Sequence, residues 1–273
     1  MEQAQYSMAD LLRVMQRLRD PQTGCPWDIR QNFQSIVPST LEECYELAQA
    51  IEHEDYPHVA EELGDVLFQV IFYAQLGAER GLFSFNTVVA TLVEKLVRRH
   101  PHVFADGAIE GVVTKRATLD EIKKSWEAIK QLERDGKAQS GILADVPVAL
   151  PALPRAQKLQ KRAALANFDW PDTDAVLDKL QEEIDELRQA MAMQNESQIA
   201  EEMGDVLFTC VNLARHLGLD AEANLRSASS KFEQRFADME AIAAADNTPL
   251  AGMNELQLNE LWERVKRGGL RLR

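Results

Sequence analysis

Cysteine is scarce in this chain of 273 residues: Cys25, Cys44 and Cys210 lack the spacing of a metal-binding motif, and their odd number suits a reducing compartment better than a disulfide framework. Cys44 and Cys210 fall on or beside core-facing helical positions, so packing is their expected role. Long apolar runs are missing as well. No stretch approaches the roughly 18 residues that a membrane span requires. Charged residues interrupt the opening segment MEQAQYSMADLLRVMQRLRD, unlike the apolar region of a signal peptide. The expectation is a soluble cytoplasmic protein with no membrane partner. Positive charge is in deficit, with 30 Lys and Arg against 44 Asp and Glu and a net charge of −14. Affinity for nucleic acid rests largely on basic side chains meeting phosphates, so no nucleic-acid partner is expected. Strand-like alternation of useful length is absent too, and the chain reads as all-α.

What the chain does have is a repeated acidic pattern. In KLQEEIDELRQAMAMQNESQIAEEMGD and its flanks, Val176, Leu177, Leu180, Ile184, Leu187 and Met191 recur at helical spacing, and Ile199, Met203, Val206, Leu207, Cys210, Ala214 and Leu217 do so again. At about 100° per residue, Glu183 and Glu186 share one border of the first apolar stripe, and Glu202 and Asp205 the matching border of the second. Four carboxylates are therefore expected where the two helices meet. Lys179 shares that border, while Glu182 and Glu201 are rotated towards solvent. Residues 40–65, TLEECYELAQAIEHEDYPHVAEELGD, repeat the arrangement: Glu43, Glu46, Glu62 and Asp65 each lie 140 residues before Glu183, Glu186, Glu202 and Asp205. A solvated helix face has no need to keep four acids in one register twice.

Converging acids repel unless a cation neutralises them. Every donor is a hard oxygen, with neither His nor Cys among them, which favours Mg²⁺ or Mn²⁺ over zinc. A carboxylate di-iron site would need Glu-x-x-His on two helices and is not indicated. Ions held this way can bridge to a small polyphosphate while a few Lys and Arg neutralise the remaining charge.

The repeat divides the chain into domains at 1–136 and 137–273, with a linker over about 135–152 containing DGKAQSG and DVPVALPALPR. Residues 7–19 form a first helix with Leu11, Leu12, Met15 and Leu18 on one side, followed by the loop DPQTGCPWD around Trp27; its counterpart is NFDWPD around Trp170. Each Trp is expected to close a core. Thr40 and Glu43 offer a capping box, Pro57 suits the first turn of the next helix, and Gly77 its end. A helix over Phe85–Arg99 carries Lys95 and Arg99, matched 136 residues on by Lys231 and Arg235, a repeated basic pair that suits a phosphate clamp. Trp126 and Trp262 are likewise 136 residues apart, and base stacking and packing both fit them. The second repeat begins with a helix over about Leu153–Ala164.

Taken in order, RLRDPQTGCPWD, TLEECYELAQAI, EELGDVLFQV, RRHPHVFAD and EEMGDVLF resemble the MazG nucleoside triphosphate pyrophosphohydrolases, with E-E-x-x-E and then E-E-x-G-D occurring twice over nearly the full length. The resemblance implies two tandem all-α helical bundles completed by dimerisation, and Mg²⁺-dependent hydrolysis of NTP and dNTP to nucleoside monophosphate and pyrophosphate, in nucleotide-pool housecleaning or stress regulation. It implies that Glu183, Glu186, Glu202 and Asp205 are metal ligands, that Lys179, Lys231 and Arg235 contact the triphosphate, and that Trp262 lies beside the nucleotide; beside these, Glu182, which neighbours the cluster without being needed as a ligand, is the candidate for positioning the water, and Glu201 is a candidate substrate contact. The first repeat keeps Glu43, Glu46, Glu62, Asp65, Lys95, Arg99 and Trp126 but has Ser39 in the place of Lys179, so a second, weaker site is expected there. Two other readings stand beside this one. One is a non-catalytic regulatory or interaction protein with a structural cation, against which Lys179 argues because it would compete for the ligands. The other is a narrower dUTP or phosphoribosyl-nucleotide pyrophosphatase.

Overall fold

Ser7 opens the first helix, α1 (Met8–Leu18), by a reciprocal cap: its hydroxyl accepts from the Asp10 amide at 3.3 Å, and the Asp10 carboxylate accepts from the Ser7 amide at 3.0 Å. A computed structural model describes residues 6–112, 117–135 and 141–268, and among these every regular element is helical. The others are α2 (Pro26–Arg30), α3 (Val37–Glu52), α4 (Tyr56–Glu79), α5 (Phe85–Arg99), α6 (Leu119–Asp135), α7 (Ala152–Ala164), α8 (Thr173–Ala192), α9 (Glu196–His216), α10 (Ala221–Ala245) and α11 (Glu255–Arg267). The chain divides into two compact units, Met1–Glu133 and Arg134–Arg273. Of the linker read from sequence, residues 136–140 lie outside the described residues. No described helix is long and apolar enough to cross a membrane.

In the first unit the apolar side of α1 packs on α4 as its spacing requires. Met15, Ile36, Ile71, Phe72 and Leu76 are buried, with Leu11, Leu12 and Leu18 against them. Arg19, itself buried, closes the end of α1 onto α4 by forking across Glu79, with Nε–Oε1 at 2.8 Å and Nη2–Oε2 at 2.6 Å, and it also donates to the carbonyl of Asp28. Its hydrogen bonds hold the Glu79 carboxyl below the usual range. In the second unit Met239, Ile242, Leu261 and Val265 join α10 to α11.

The centre of each unit is an antiparallel helix pair, α3–α4 and α8–α9, joined by the same turn. Glu54 and Gln194 both adopt the left-handed region, at φ 55° and 54°. Asp55 and Asn195 then cap the following helix, accepting from His58 and Gln198 amides at 3.3 Å each. Equal turns at equal positions bring the acidic faces of each pair together, which is what the site depends on.

Four expectations change. Helix α3 starts at Val37, with Pro38 in its first turn, so Thr40 is inside it and is not a cap; its hydroxyl donates to the Ile36 carbonyl at 3.0 Å. Gly77 does not end α4, which runs to Glu79; Gly81, at φ +65°, follows the end. Trp27 is 58% exposed and closes no core. Cys44 and Cys210 are exposed, because much of the apolar border on which they lie stays uncovered in the single chain.

Gly77 has a different reason to be glycine. A Cβ there would lie 2.5 Å from the Phe83 ring, which is itself packed against Phe33 at 6.1 Å between centroids. The matching backbone bond in the second unit runs from Leu219 to Ala214; there the helix cap Asp220, the counterpart of Ser84, follows Leu219 directly, so no residue stands in the place of Phe83 and an alanine fits. Gly77→Ala is therefore expected to destabilise the first unit by about 1–3 kcal/mol, as overpacking does. A denaturant titration giving an unchanged midpoint would show that Phe83 is free to move aside.

Candidate active site

Pairing α8 with α9 brings carboxylate oxygens of Glu183, Glu186 and Glu202 within 4.8 Å of one another, and pairing α3 with α4 does the same for Glu43, Glu46 and Glu62. The structure thus assembles three of the four expected acids in each repeat. Asp205 and Asp65, one helical turn after Glu202 and Glu62, are exposed and stand outside these triangles. Asp65 is still close enough for its charge to act on Glu43.

Burial separates the members. Glu183 and Glu62 are each 6% exposed, while Glu186 and Glu46 face solvent. The Glu186 carboxyl is pushed up, chiefly by desolvation; the charge of Lys179 opposes this, and Glu183 and Glu202 reinforce it. Glu43 is pushed up by desolvation and then by Asp65, Glu46 and Glu62. Carboxyls raised by one another are what a cation relieves. In the first repeat, Oε2 of Glu62 is buried without a hydrogen-bond partner, although its Oε1 meets Nε2 of His58 at 2.6 Å. An orphaned buried oxygen beside two other acids fits a hard divalent ion.

Lys179 distinguishes the second repeat. Its Nζ lies 2.7 Å from Glu182 and 3.0 Å from Glu183, so it bridges an exposed acid and the buried member of the triangle. Those contacts, the one to Glu182 first, hold its ammonium well above the usual lysine range. Glu201 is exposed on α9. Lys231 and Arg235 lie on α10 and have no carboxylate partner among the described residues. Arg235 instead lies over the Trp262 ring, 5.8 Å from its centroid. Trp262 packs on the α10–α11 core and on Phe232, at 5.6 Å between centroids, so packing accounts for one side of it.

The first repeat is built differently at the matching positions. Arg99 is paired with Glu133, Lys95 has no carboxylate partner among the described residues, and Trp126 meets His100 edge-on at 5.6 Å. His58 and Glu133 were not singled out from the sequence. His58 stands at the i, i+4 spacing from Glu62, and that was the available signal. In repeat register the counterpart of His58 is Gln198.

The family described as the MazG nucleotide pyrophosphohydrolase domain matches residues 31–104 and 172–239, each span containing one acidic helix pair. The chain belongs to the MazG family. It is 50% identical over 261 residues to the nucleoside triphosphate pyrophosphohydrolase of Escherichia coli (strain K12), covering 94% of this chain and 96% of that one. It is 40% identical over 268 residues to the nucleoside triphosphate pyrophosphohydrolase/pyrophosphatase MazG of Thermotoga maritima, covering 98% and 99%. A nucleoside triphosphate pyrophosphohydrolase of Mycobacterium tuberculosis is 35% identical over 163 residues, which is 59% of this chain and 46% of the relative. For this MazG chain the matched spans coincide with the two carboxylate triangles, and α1, α7 and α11 lie outside them.

Proposed function

We propose that the protein hydrolyses nucleoside triphosphates, NTP and dNTP, to nucleoside monophosphate and pyrophosphate, with Mg²⁺ or Mn²⁺ held in the second repeat, as part of nucleotide-pool housecleaning or stress regulation in the cytoplasm. The observation that carries this reading is the convergence of Glu183, Glu186 and Glu202 within 4.8 Å beside Lys179, inside a span matched by the MazG family. Glu183, Glu186 and Glu202 would hold the ion, with Asp205, one turn away, as a fourth ligand. When bound, it supplies Lewis acidity and positive charge to the phosphate oxygens. Lys179 would exchange its contact with Glu183 for a phosphate oxygen, and Lys231 and Arg235 would meet the outer phosphates. Glu201 and Trp262 complete the substrate contacts. Glu182, exposed and adjacent to the triangle, orients the water and takes up its proton as the water oxygen bonds to the α-phosphorus. The bond from that phosphorus to the bridging oxygen breaks, and pyrophosphate leaves against the basic side chains.

The site is proposed to work in a homodimer. Leu41, Tyr45, Leu63 and Val70 on the first helix pair are exposed in the single chain, as are Leu177, Met203, Leu207 and Phe208 on the second. Side chains of this kind seldom stay in water along a whole helix pair, and a second copy covers both faces by symmetry.

Incubation with each NTP and dNTP plus Mg²⁺, with separation of products, tests the reading. Monophosphate and pyrophosphate in equal amounts are expected. Diphosphate and inorganic phosphate would contradict it, and turnover of dUTP alone would assign the narrower activity.

A further inference from the structure

The two repeats treat their matching arginines in opposite ways. Near the end of α6, Glu133 reaches back to the end of α5 and receives both guanidinium groups there. Arg98 donates to its Oε1 from Nε at 3.1 Å and from Nη2 at 2.7 Å. Arg99 forks across both oxygens, with Nε to Oε1 at 3.2 Å and Nη2 to Oε2. A two-toothed guanidinium contact of this kind is the one arginine makes with a phosphate. In the second repeat Arg235, the counterpart of Arg99, lies over the Trp262 ring, which engages the face of the guanidinium and leaves its in-plane N–H groups available. The register explains the difference. Trp126 and Trp262 correspond, so Glu133 corresponds to Gly269, which lies outside the described residues and has no carboxylate to offer.

We propose that Glu133 is an internal surrogate for a phosphate group: it occupies the Arg98 and Arg99 guanidinium groups and keeps triphosphate out of the first repeat. The inference rests on the reading that Arg235, and by register Arg99, belongs to a phosphate clamp. Two further features of the first repeat agree with it. Ser39 supplies no ammonium where the second repeat has Lys179, and Glu62 is engaged by His58. Hydrogen bonds from Arg99, and then from Arg98, draw the Glu133 carboxyl down to about 2, so at neutral pH it is a full anion and a standing competitor for any phosphate oxygen. The first repeat thereby keeps its carboxylate triangle while its clamp is closed from within.

Isothermal titration of the full-length protein with Mg²⁺ and an α,β-methylene triphosphate analogue, which cannot be cleaved at the α-phosphorus, reads the number of nucleotides bound per chain. Wild type is expected to take one. Glu133→Gln, which keeps the size of the side chain but removes its charge, is expected to take a second, at least about tenfold tighter than any residual first-repeat binding in wild type. Adding Arg98→Ala and Arg99→Ala to Glu133→Gln should remove the gained site. Equal counts in wild type and in both Glu133→Gln and Glu133→Ala, with melting curves showing folded protein, would overturn the proposal, as would two nucleotides on wild type. Arg235→Ala tests the underlying reading separately: undiminished binding at the second repeat would mean that these arginines are not phosphate contacts, whatever Glu133 does.

Discussion

Glu202→Ala is expected to lower turnover by about a thousandfold or more, because losing one oxygen ligand from a three-carboxylate triangle unseats the ion that contributes several kcal/mol to the reaction. Glu62→Ala, the matching change in the first repeat, should reduce it by no more than about threefold. The difference follows from what surrounds the two triangles. Beside Glu202, Lys179 lies within 3.0 Å of Glu183 and is ready to exchange a carboxylate for a phosphate. At the matching place near Glu62 the chain has Ser39, and Arg99 is held by Glu133. Steady-state kinetics on the two variants decide the point. Equal losses would make the first repeat a working site and would remove the role assigned to Lys179.

The second large effect is expected at the uncovered apolar faces. Leu63 and Leu207 are 52% and 51% exposed in the single chain, and each is worth about 1.5–3 kcal/mol when fully buried. An aspartate at either place leaves a charge in an apolar contact, which costs more than the leucine contributes. Light scattering is therefore expected to show a dimer for the wild type and predominantly monomer for Leu207→Asp, with activity falling as the dimer is lost. A fully active wild-type monomer would contradict the dimeric reading.

Those exposed faces also show where sequence reasoning stops. Helical periodicity located Leu11, Leu12, Met15 and Leu18 on one face of α1, and they pack as the spacing requires. The same periodicity placed Met203, Leu207 and Cys210 on an apolar border of α9, yet all three are exposed, because amphipathicity marks a face that needs a cover and does not say whether the cover is in the same chain. The convergence of Glu183, Glu186 and Glu202 was legible from a 140-residue register, since two helices joined by a short turn have few ways to pair. The position of Asp205 outside the triangle was not. A wheel gives direction around one helix but not position along the next, and Asp205 lies one turn beyond Glu202 as Asp65 lies beyond Glu62, where the Asp65 charge still acts on Glu43 across the helix pair. Glu133 was invisible for a related reason: its partners lie 34 and 35 residues earlier on another helix, and only the approach of the side chains of α6 to the end of α5 brings them together. Gly77 was misread as a helix terminator because glycine has two uses, and only the Phe83 ring above it distinguishes close approach from chain reversal.

The central claim, that a water beside the second-repeat triangle attacks the α-phosphorus, is tested most directly by carrying out the reaction in ¹⁸O-water with Mg²⁺ and weighing both products. One heavy oxygen in the nucleoside monophosphate and none in the pyrophosphate is the predicted result. Label in the pyrophosphate, or in released inorganic phosphate, would place the attack at another phosphorus and contradict the roles given to Glu182 and Lys179.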